Sequence, residues 1–323
     1  MNPTKMRILI TGGAGCLGSN LIEYWLPRGY LICVIDNFVT GNRYALPNAP
    51  GLTVVKGSIS NAGLVHDCFN RFKPTHVVHT AASYKDPSNW TEDTATNILG
   101  TIHVAKAALE HGVRRFINFQ TALCYGRPSQ VPIPIDHPTA PFTSYGISKT
   151  AGEAYLMLSN LPLVSLRIAN ICGPRLTIGP IPTFYQRLKA GKSCFCSDTV
   201  RDFLDMSDFL TLMDIVISDD VSTGIFNVAT GEGHSIKDVF NAVANYLGIS
   251  PPDVPIVPAG KDDVPVVVLD PRETERTFGW RAQISFKETI NRQLKWYDDH
   301  GVTDIFSHLS VSEPTITGDS CKD

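Results

Sequence analysis

The stretch RILITGGAGCLGSNLIEYW near the start of the chain constrains its fold more than any other segment. Residues 7 to 11 form a short apolar run that reads as a buried strand. Three glycines follow in a GxxGxxG arrangement, Gly12, Gly15 and Gly18, and helical spacing then continues to residue 26. Strand, glycine turn and helix in this order form a cradle for phosphate. Gly12 permits the tight turn, Gly15 lets the backbone approach a pyrophosphate, and Gly18 lets helix and strand pack closely. Amides at the helix N-terminus would face the phosphates. Taken alone, the motif is also compatible with a glycine-rich turn that holds nothing.

An acid at the right place narrows the reading. Asp36 closes the next apolar run, LICVID (31 to 36), where a carboxylate can accept hydrogen bonds from adenosine ribose hydroxyls. NAD is favoured over NADP, because a 2′-phosphate would meet like charge there and Arg43 lies several residues further on in a loop. The Asp-Asn dipeptide at 36 and 37 would also suit a plain turn at a strand end.

Further apolar runs recur at 52 to 55 (LTVV), 76 to 79 (HVVH), 115 to 119 (RFINF) and 163 to 168 (LVSLRI). Stretches with helical spacing fall at 16 to 26, 61 to 72, 91 to 111 and 145 to 159. This alternation predicts an α/β protein with a Rossmann-type doubly wound parallel sheet and right-handed crossovers. After Ile171 the pattern turns rich in Pro and Gly, with shorter helical stretches at 183 to 190 and 235 to 247, which predicts a smaller C-terminal substrate-binding lobe. The run TGIFNVATG (223 to 231) again resembles a buried strand. The expected division is therefore a dinucleotide-binding domain over 1 to 170 with 206 to 231 returning to it, a lobe built from 171 to 205 and 232 to 311, and a polar tail over 312 to 323.

Bulk properties exclude several classes. The formal net charge of -3 provides no basic field for nucleic acid, so any phosphate must be held by a local site. No apolar run is long enough to span a bilayer and residues 1 to 6 do not resemble a leader, so a cytoplasmic protein without a membrane partner is expected. The eight cysteines are scattered; Cys33 and Cys172 lie in apolar runs and read as reduced thiols. Cys194 and Cys196 form a CxC pair with no second pair or histidine cluster beside it, so no metal is expected.

Candidate chemistry begins at SYGISK. Tyr145 and Lys149 are four residues apart, which on a helix places both on one face. A phenol with a pKa of about 10 serves as a base near neutral pH only after a shift of about 3 units, or about 4 kcal/mol. A neighbouring ammonium and a cationic nicotinamide ring could together supply that shift. Alone, such a pair usually marks a solvated helix face; its position after the fifth strand of a dinucleotide fold is what makes it a site. Thr121, in FQTALCYG, follows that strand at the carboxyl edge where ligands of open α/β sheets bind. A strand-end hydrogen bond is its other reading.

With HTAA (79 to 82), TNILGT (96 to 101), LRIANICGP (166 to 174), RDFLDMSD (201 to 208) and FNVATGEGHS (226 to 235), these motifs resemble the extended short-chain dehydrogenase/reductases. Within them the chain is similar to the NAD-dependent epimerase/dehydratase family over residues 6 to 300, and to its nucleotide-sugar epimerase-like subgroup from bacterial surface-polysaccharide gene clusters. The resemblance implies that Tyr145 is the base, that Lys149 binds the nicotinamide ribose and that Thr121 supports proton transfer. It implies an NAD site formed by Gly12, Gly15, Cys16, Leu17, Gly18, Asp36, Asn37, Gly41, Ser58, Ile59, Thr80, Ala81, Ala82, Lys85 and Asn97 together with Tyr145 and Lys149. A nucleotide-diphosphate sugar, chiefly a UDP-sugar, would be held by Thr121, Asn170, Thr183, Arg201 and Lys261. Asn97 could instead cap a helix and Arg201 could be a surface ion-pair partner. A homodimer pairing the helices at 91 to 111 and 145 to 159 follows by the same analogy.

Departures from the family pattern narrow the reaction. Ala122 and Leu123 stand where the 4,6-dehydratases carry an Asp-Glu pair, and Leu123 stands where sugar-acid decarboxylases carry a glutamate. Ser58 replaces the aspartate commonly offered to the adenine amino group, leaving a serine hydroxyl for that contact. In PAGKDDVP the arginine that many 4-epimerases direct at phosphate is absent, with Lys261 the cation nearby. The expectation is an NAD-dependent nucleotide-sugar epimerase, foremost an NDP-hexose 4-epimerase that works through a transient 4-keto sugar in surface-polysaccharide biosynthesis. The alternatives are an NDP-4-keto-sugar reductase, an NDP-sugar dehydrogenase and, from another class, a non-catalytic dinucleotide-sensing protein.

Overall fold

The apolar runs assemble into one parallel sheet. The computed structural model describes residues 6 to 306 except Pro252, Lys261 and Asp262. Its first part alternates β1 (Arg7–Thr11), α1 (Cys16–Trp25), β2 (Leu31–Asp36), β3 (Leu52–Lys56), α2 (Ala62–Phe72), β4 (His76–His79), α3 (Trp90–Asp93), α4 (Thr101–Glu110), β5 (Arg115–Thr121), α5 (Ser144–Met157) and β6 (Leu163–Ile168). The second part carries β7 (Asn170–Cys172), α6 (Pro180–Lys189), β8 (Cys196–Ser197), β9 (Val200–Arg201), β10 (Phe203–Asp205), α7 (Met206–Val216), β11 (Gly224–Val228), β12 (His234–Ser235), α8 (Ile236–Tyr246), β13 (Ile256–Val257), β14 (Val266–Val267), α9 (Arg272–Phe278) and α10 (Phe286–His300).

The main sheet runs β3-β2-β1-β4-β5-β6-β11 with every neighbouring pair parallel. Both faces are covered, which is why its strands are apolar throughout rather than alternating. Successive side chains serve opposite cores: Ile8, Ile10, Ile32 and Val34 pack with α1 and α7, whereas Leu9, Cys33 and Ile35 pack with α2 and α4. Strand order reverses between β1 and β4, and the crevice above that point is where open sheets of this kind bind ligands.

Residues 206 to 228 return to the sheet, with β11 beside β6 and with Phe209, Leu212 and Met213 in the same core as α1. The second lobe has its own core, in which Phe184, Phe240, Ile290 and Leu294 meet. One expected boundary needs correction. Phe278 and Trp280, placed by sequence in the lobe, pack into the sheet's core, with the Phe278 ring 4.6 Å from that of Phe226. Their aromatic bulk fills space beside the edge strand β11 that no local pattern in the sequence reveals. The tail over 312 to 323 and residues 307 to 311 lie outside the described residues.

A second correction concerns 91 to 111, expected as one regular helix. Between α3 and α4 the turns widen into a π-helix over Thr94–Gly100. Such widened turns are rare and recur at functional sites. The Thr101 hydroxyl donates to the Asn97 carbonyl at 2.7 Å, a side-chain bond that competes with the regular ladder. Helix α5 lies directly alongside, and a Cβ on Gly152 would overlap the Asn97 carbonyl oxygen. From the sheet side α5 is tied by a buried pair, Arg167 to Glu153 at 2.8 Å, with Ser165 donating to the same carboxylate at 2.6 Å. Among the described residues no helix is long and apolar enough to cross a membrane.

Because backbone, and not a movable side chain, occupies the space at Gly152, Gly152→Ala is expected to destabilise the protein by about 1–3 kcal/mol. Urea unfolding measures this; an unchanged midpoint would show that the two helices separate without cost.

Candidate active site

The glycine turn is shaped for an anion. Gly12 has a φ of +67°, and its amide donates to Ile35 O at 2.8 Å, which seats the turn between β1 and β2. A Cβ on Gly18 would lie 2.6 Å from Gly13 Cα and 2.7 Å from Gly12 O, so this position needs glycine for packing. Gly15 is the N-cap of α1 and supplies no capping side chain. The first amides of the helix, at Cys16, Leu17 and Gly18, therefore have no intrahelical partners and suit a pyrophosphate.

Around this turn the other expected cofactor residues take distinct places. The Asp36 carboxylate accepts from Ala14 N and from Phe38 N, both at 2.8 Å, and stands buried at the end of β2. Asn37 is exposed and folds on itself, accepting from Val39 N at 3.1 Å. Gly41 lies against Ala14, within 2.8 Å of where a Cβ would stand. Thr80 donates to Thr11 O at 2.7 Å and, with Ala81 and Ala82, continues from β4 along the same edge. Lys85 lies 6.0 Å from the Phe306 ring. These residues fit a dinucleotide, with backbone donors for phosphate and a carboxylate for ribose.

Three expected contacts are arranged otherwise. The Ser58 hydroxyl, anticipated as open to adenine, is 2.8 Å from Ser60 Oγ and accepts from Ser60 N at 3.2 Å. Ile59 is buried in the core beneath α4 and packs where Gly100 leaves room. Asn97 caps no helix; its amide donates to Ser83 O and Ser148 Oγ and accepts from Ser83 N, each at 2.9 Å. Every polar atom of that side chain is thereby used within the protein.

Thr121 is the last residue of β5 rather than following it, and its hydroxyl accepts from Leu123 N at 3.2 Å. Tyr145 and Lys149 project from the first turns of α5, as the spacing predicts. The expected coupling between them is not how they are arranged. Lys149 Nζ donates to Phe119 O at 2.7 Å and is buried, which lowers its pKa to about 8. Tyr145 is partly exposed as a residue, yet desolvation of its hydroxyl raises its pKa above the ordinary phenol range. Tyr84 and Asp93 add to that rise, whereas Thr121, bonded to the phenol, opposes it. In this state the proton stays on Tyr145, and the lysine charge faces the strand.

Tyr84 is a site residue that sequence reasoning missed. Its ring meets that of Tyr145 edge to face at 6.3 Å. It stood unremarked between Ala82 and Lys85 because nothing in its spacing set it apart. Gln120 was missed too: it donates to Lys149 O at 2.9 Å while its other amide atom accepts from Thr121 N at 2.8 Å, clamping strand to helix.

On the substrate side, Asn170 is exposed and its amide donates to Asp202 O at 3.0 Å. Arg201 pairs with Asp263 at 2.5 Å and donates to Val200 O at 2.8 Å, so its guanidinium already has a carboxylate partner. Thr183, in α6, donates back at 2.8 Å to the O of Gly179, the residue before that helix. Lys261 lies outside the described residues. Asp202, which follows Arg201 and whose carbonyl takes the Asn170 amide, accepts through its carboxylate from Thr230 N, Thr230 Oγ1 and Gly231 N, and burial raises its pKa to about 6 against those donors.

Comparison with known proteins places this geometry. Residues 8 to 229 match the model of the NAD dependent epimerase/dehydratase family. A UDP-glucose 4-epimerase of Mycolicibacterium smegmatis is 30% identical over 90% of this chain and 98% of its own. Among solved structures, the Bordetella bronchiseptica enzyme WbmG in complex with NAD and UDP superposes with a TM-score of 0.91 at 67% identity, covering 96% of this chain and 100% of that one. WbmH of the same organism, in complex with NAD+, gives a TM-score of 0.87 at 42% identity over 92% of this chain and 100% of its own.

The buried Lys149 ammonium makes stability depend on pH. The folded protein holds this proton less tightly than the unfolded chain, so the charge costs on the order of 3 kcal/mol below about pH 8. That cost is relieved as pH rises from about 8 toward the unfolded value of 10.5. Urea unfolding of the ligand-free protein is expected to show wild type gaining stability relative to Lys149→Met across this window; parallel curves would contradict it.

Proposed function

The chain belongs to the NAD-dependent epimerase/dehydratase family, and on that premise we propose that it is a UDP-hexose 4-epimerase of surface-polysaccharide biosynthesis. It is an NAD-dependent nucleotide-sugar epimerase of the extended short-chain dehydrogenase/reductases. The observation that carries the finer reading is the wall beside Thr121. Ala122 and Cys124 are buried in an apolar cluster, with Leu123 packed against it. None of these three side chains carries a carboxylate that could help expel water or a carboxyl group, which leaves Tyr145 and Thr121 to move one hydroxyl proton. The UDP in the solved WbmG complex, at 67% identity, supports a uridine nucleotide.

When bound, NAD would supply the hydride acceptor and donor that inversion at the sugar carbon requires. Once its own proton has left to solvent, the Tyr145 phenolate takes the proton of the C4 hydroxyl and gives it back after the keto sugar has turned over. Thr121 holds the same oxygen by a hydrogen bond. Lys149, cationic at neutral pH, can exchange the Phe119 carbonyl for ribose hydroxyls and so bring its charge toward the phenol. Gly12, Gly15 and the first amides of α1 would hold the pyrophosphate, and Asp36 would hold the adenosine ribose.

A homodimer belongs to the same proposal. Leu99, beside α4, and Ile147, Tyr155, Met157 and Leu158, on or just after α5, are apolar side chains 48% to 81% exposed on neighbouring helices. Light scattering on the purified protein is expected to give twice the chain mass, and a monomer would overturn it.

Tyr145→Phe is expected to retain NAD while losing turnover of a UDP-hexose by at least about 100-fold. Near-normal turnover would remove Tyr145 as the acid-base group. During wild-type turnover the NADH absorbance band should stay flat; stoichiometric change would make the enzyme a net reductase or dehydrogenase instead.

A further inference from the structure

The segment from 93 to 101 and the helix carrying Tyr145 and Lys149 are joined by a ladder with a repeat of four residues. Ser144 donates to Asp93 at 2.6 Å, Asn97 donates to Ser148 at 2.9 Å, and Gly152 lies against Thr101, with Oγ1 3.3 Å from where a Cβ would stand. Tyr145 and Lys149 each follow a rung by one residue, so the ladder sets their register. Ser148 passes its own proton to Tyr145 O at 3.1 Å.

The lower rung continues across the sheet. His79 Nε2 is 2.9 Å from Thr101 Oγ1, His79 Nδ1 is 2.8 Å from Thr11 Oγ1, and Ala81 N donates to Thr11 Oγ1 at 3.3 Å. All of His79, Thr101 and Thr11 are buried. Proton counting permits one arrangement for a neutral ring. The Thr101 hydroxyl has a single proton and spends it on the Asn97 carbonyl, which can only accept, so Thr101 must accept from His79 Nε2–H. His79 Nδ1 then accepts from the Thr11 hydroxyl, whose lone pair takes the Ala81 amide. Burial, with the nearby Lys149 charge, lowers the His79 pKa to about 3 and keeps the ring neutral.

We propose that His79 and Thr101 are positioning residues, a directed hydrogen-bond chain that ties the glycine turn and the 81–83 loop to the π-helical turn at Asn97 and so holds Tyr145 and Lys149 in register with the cofactor site. The proposal rests on Tyr145 as the acid-base group. Neither residue touches the sugar. Thr101 is instead joined to both ends of the site, since Asn97 also fixes Ser83 of the cofactor edge.

The first test uses the wild-type protein without substrate. Long-range 1H–15N correlation of the histidine rings, with His79 assigned by its loss in His79→Gln, is expected to show the Nε2–H tautomer; an Nδ1–H tautomer or a charged ring at neutral pH would overturn the chain. The second compares Thr101→Val, which keeps the shape and removes the hydroxyl, with Thr101→Ser, which restores it. Thr101→Val should lower kcat on the order of tenfold or more with KM for the UDP-hexose little changed, and Thr101→Ser should recover most of that loss. Equal kcat for Thr101→Val and wild type, or a serine variant as slow as the valine one, would refute the positioning role. Should Thr101→Val not fold, the tautomer still decides. The tautomer is read without turnover, so its failure is distinguishable from failure of Tyr145 as the acid-base group.

Discussion

Helix α5 has to be held on two sides at once, and the close contact at Gly152 is the constraint that allows it. With no side chain there, the helix settles against the Asn97 carbonyl on one flank. On the other, Glu153, Arg167 and Ser165 bind it to β6, and Gln120 binds it to β5. A helix fixed by buried polar groups on both flanks has little freedom to rotate, and each of those groups is costly to leave unpaired. Tyr145 and Lys149 inherit that rigidity. Their geometry comes from the frame around them more than from each other.

Much of the fold was legible because its cause is local. Apolar runs buried on both faces, a glycine turn between strand and helix, and helical spacing in between are all properties of short windows, so six strands and their order along the chain could be read directly. The return of Gly224–Val228 to the sheet was legible for the same reason. Phe278 and Trp280 were assigned to the wrong layer because their partners, Phe226 and the α7 residues, are distant in sequence. The π-helical turn was invisible too, since its residues keep an ordinary helical pattern and only the approach of Gly152 gives the widened turn its use.

In the site, residue types were easier to read than their states. Motif spacing brought Tyr145, Lys149, Thr121 and Asp36 to one edge of the sheet. It did not convey that Lys149 would spend its charge on the Phe119 carbonyl, that Asn97 would commit its polar atoms to Ser83 and Ser148, or that the ion pair open to Arg201 would be with Asp263. Those arrangements depend on desolvation and on competition among neighbours. A buried ammonium takes whichever acceptor is present, and a carbonyl 2.7 Å away outcompetes a more distant, still protonated phenol.

The Asp36 carboxylate bears on how cofactor preference could change over evolution. One of its oxygens holds the Ala14 amide in the phosphate turn and the other holds the Phe38 amide at the start of the following loop, where Phe38 has a φ of +60°. A lineage drifting toward a 2′-phosphorylated dinucleotide would have to discard this acid to escape charge repulsion. In doing so it would leave the buried Ala14 amide and the half-buried Phe38 amide without their acceptor and loosen the glycine turn. If Asp36 is the ribose ligand, as proposed, selectivity and architecture would share one side chain, and trading one dinucleotide for the other would call for a compensating change in the loop.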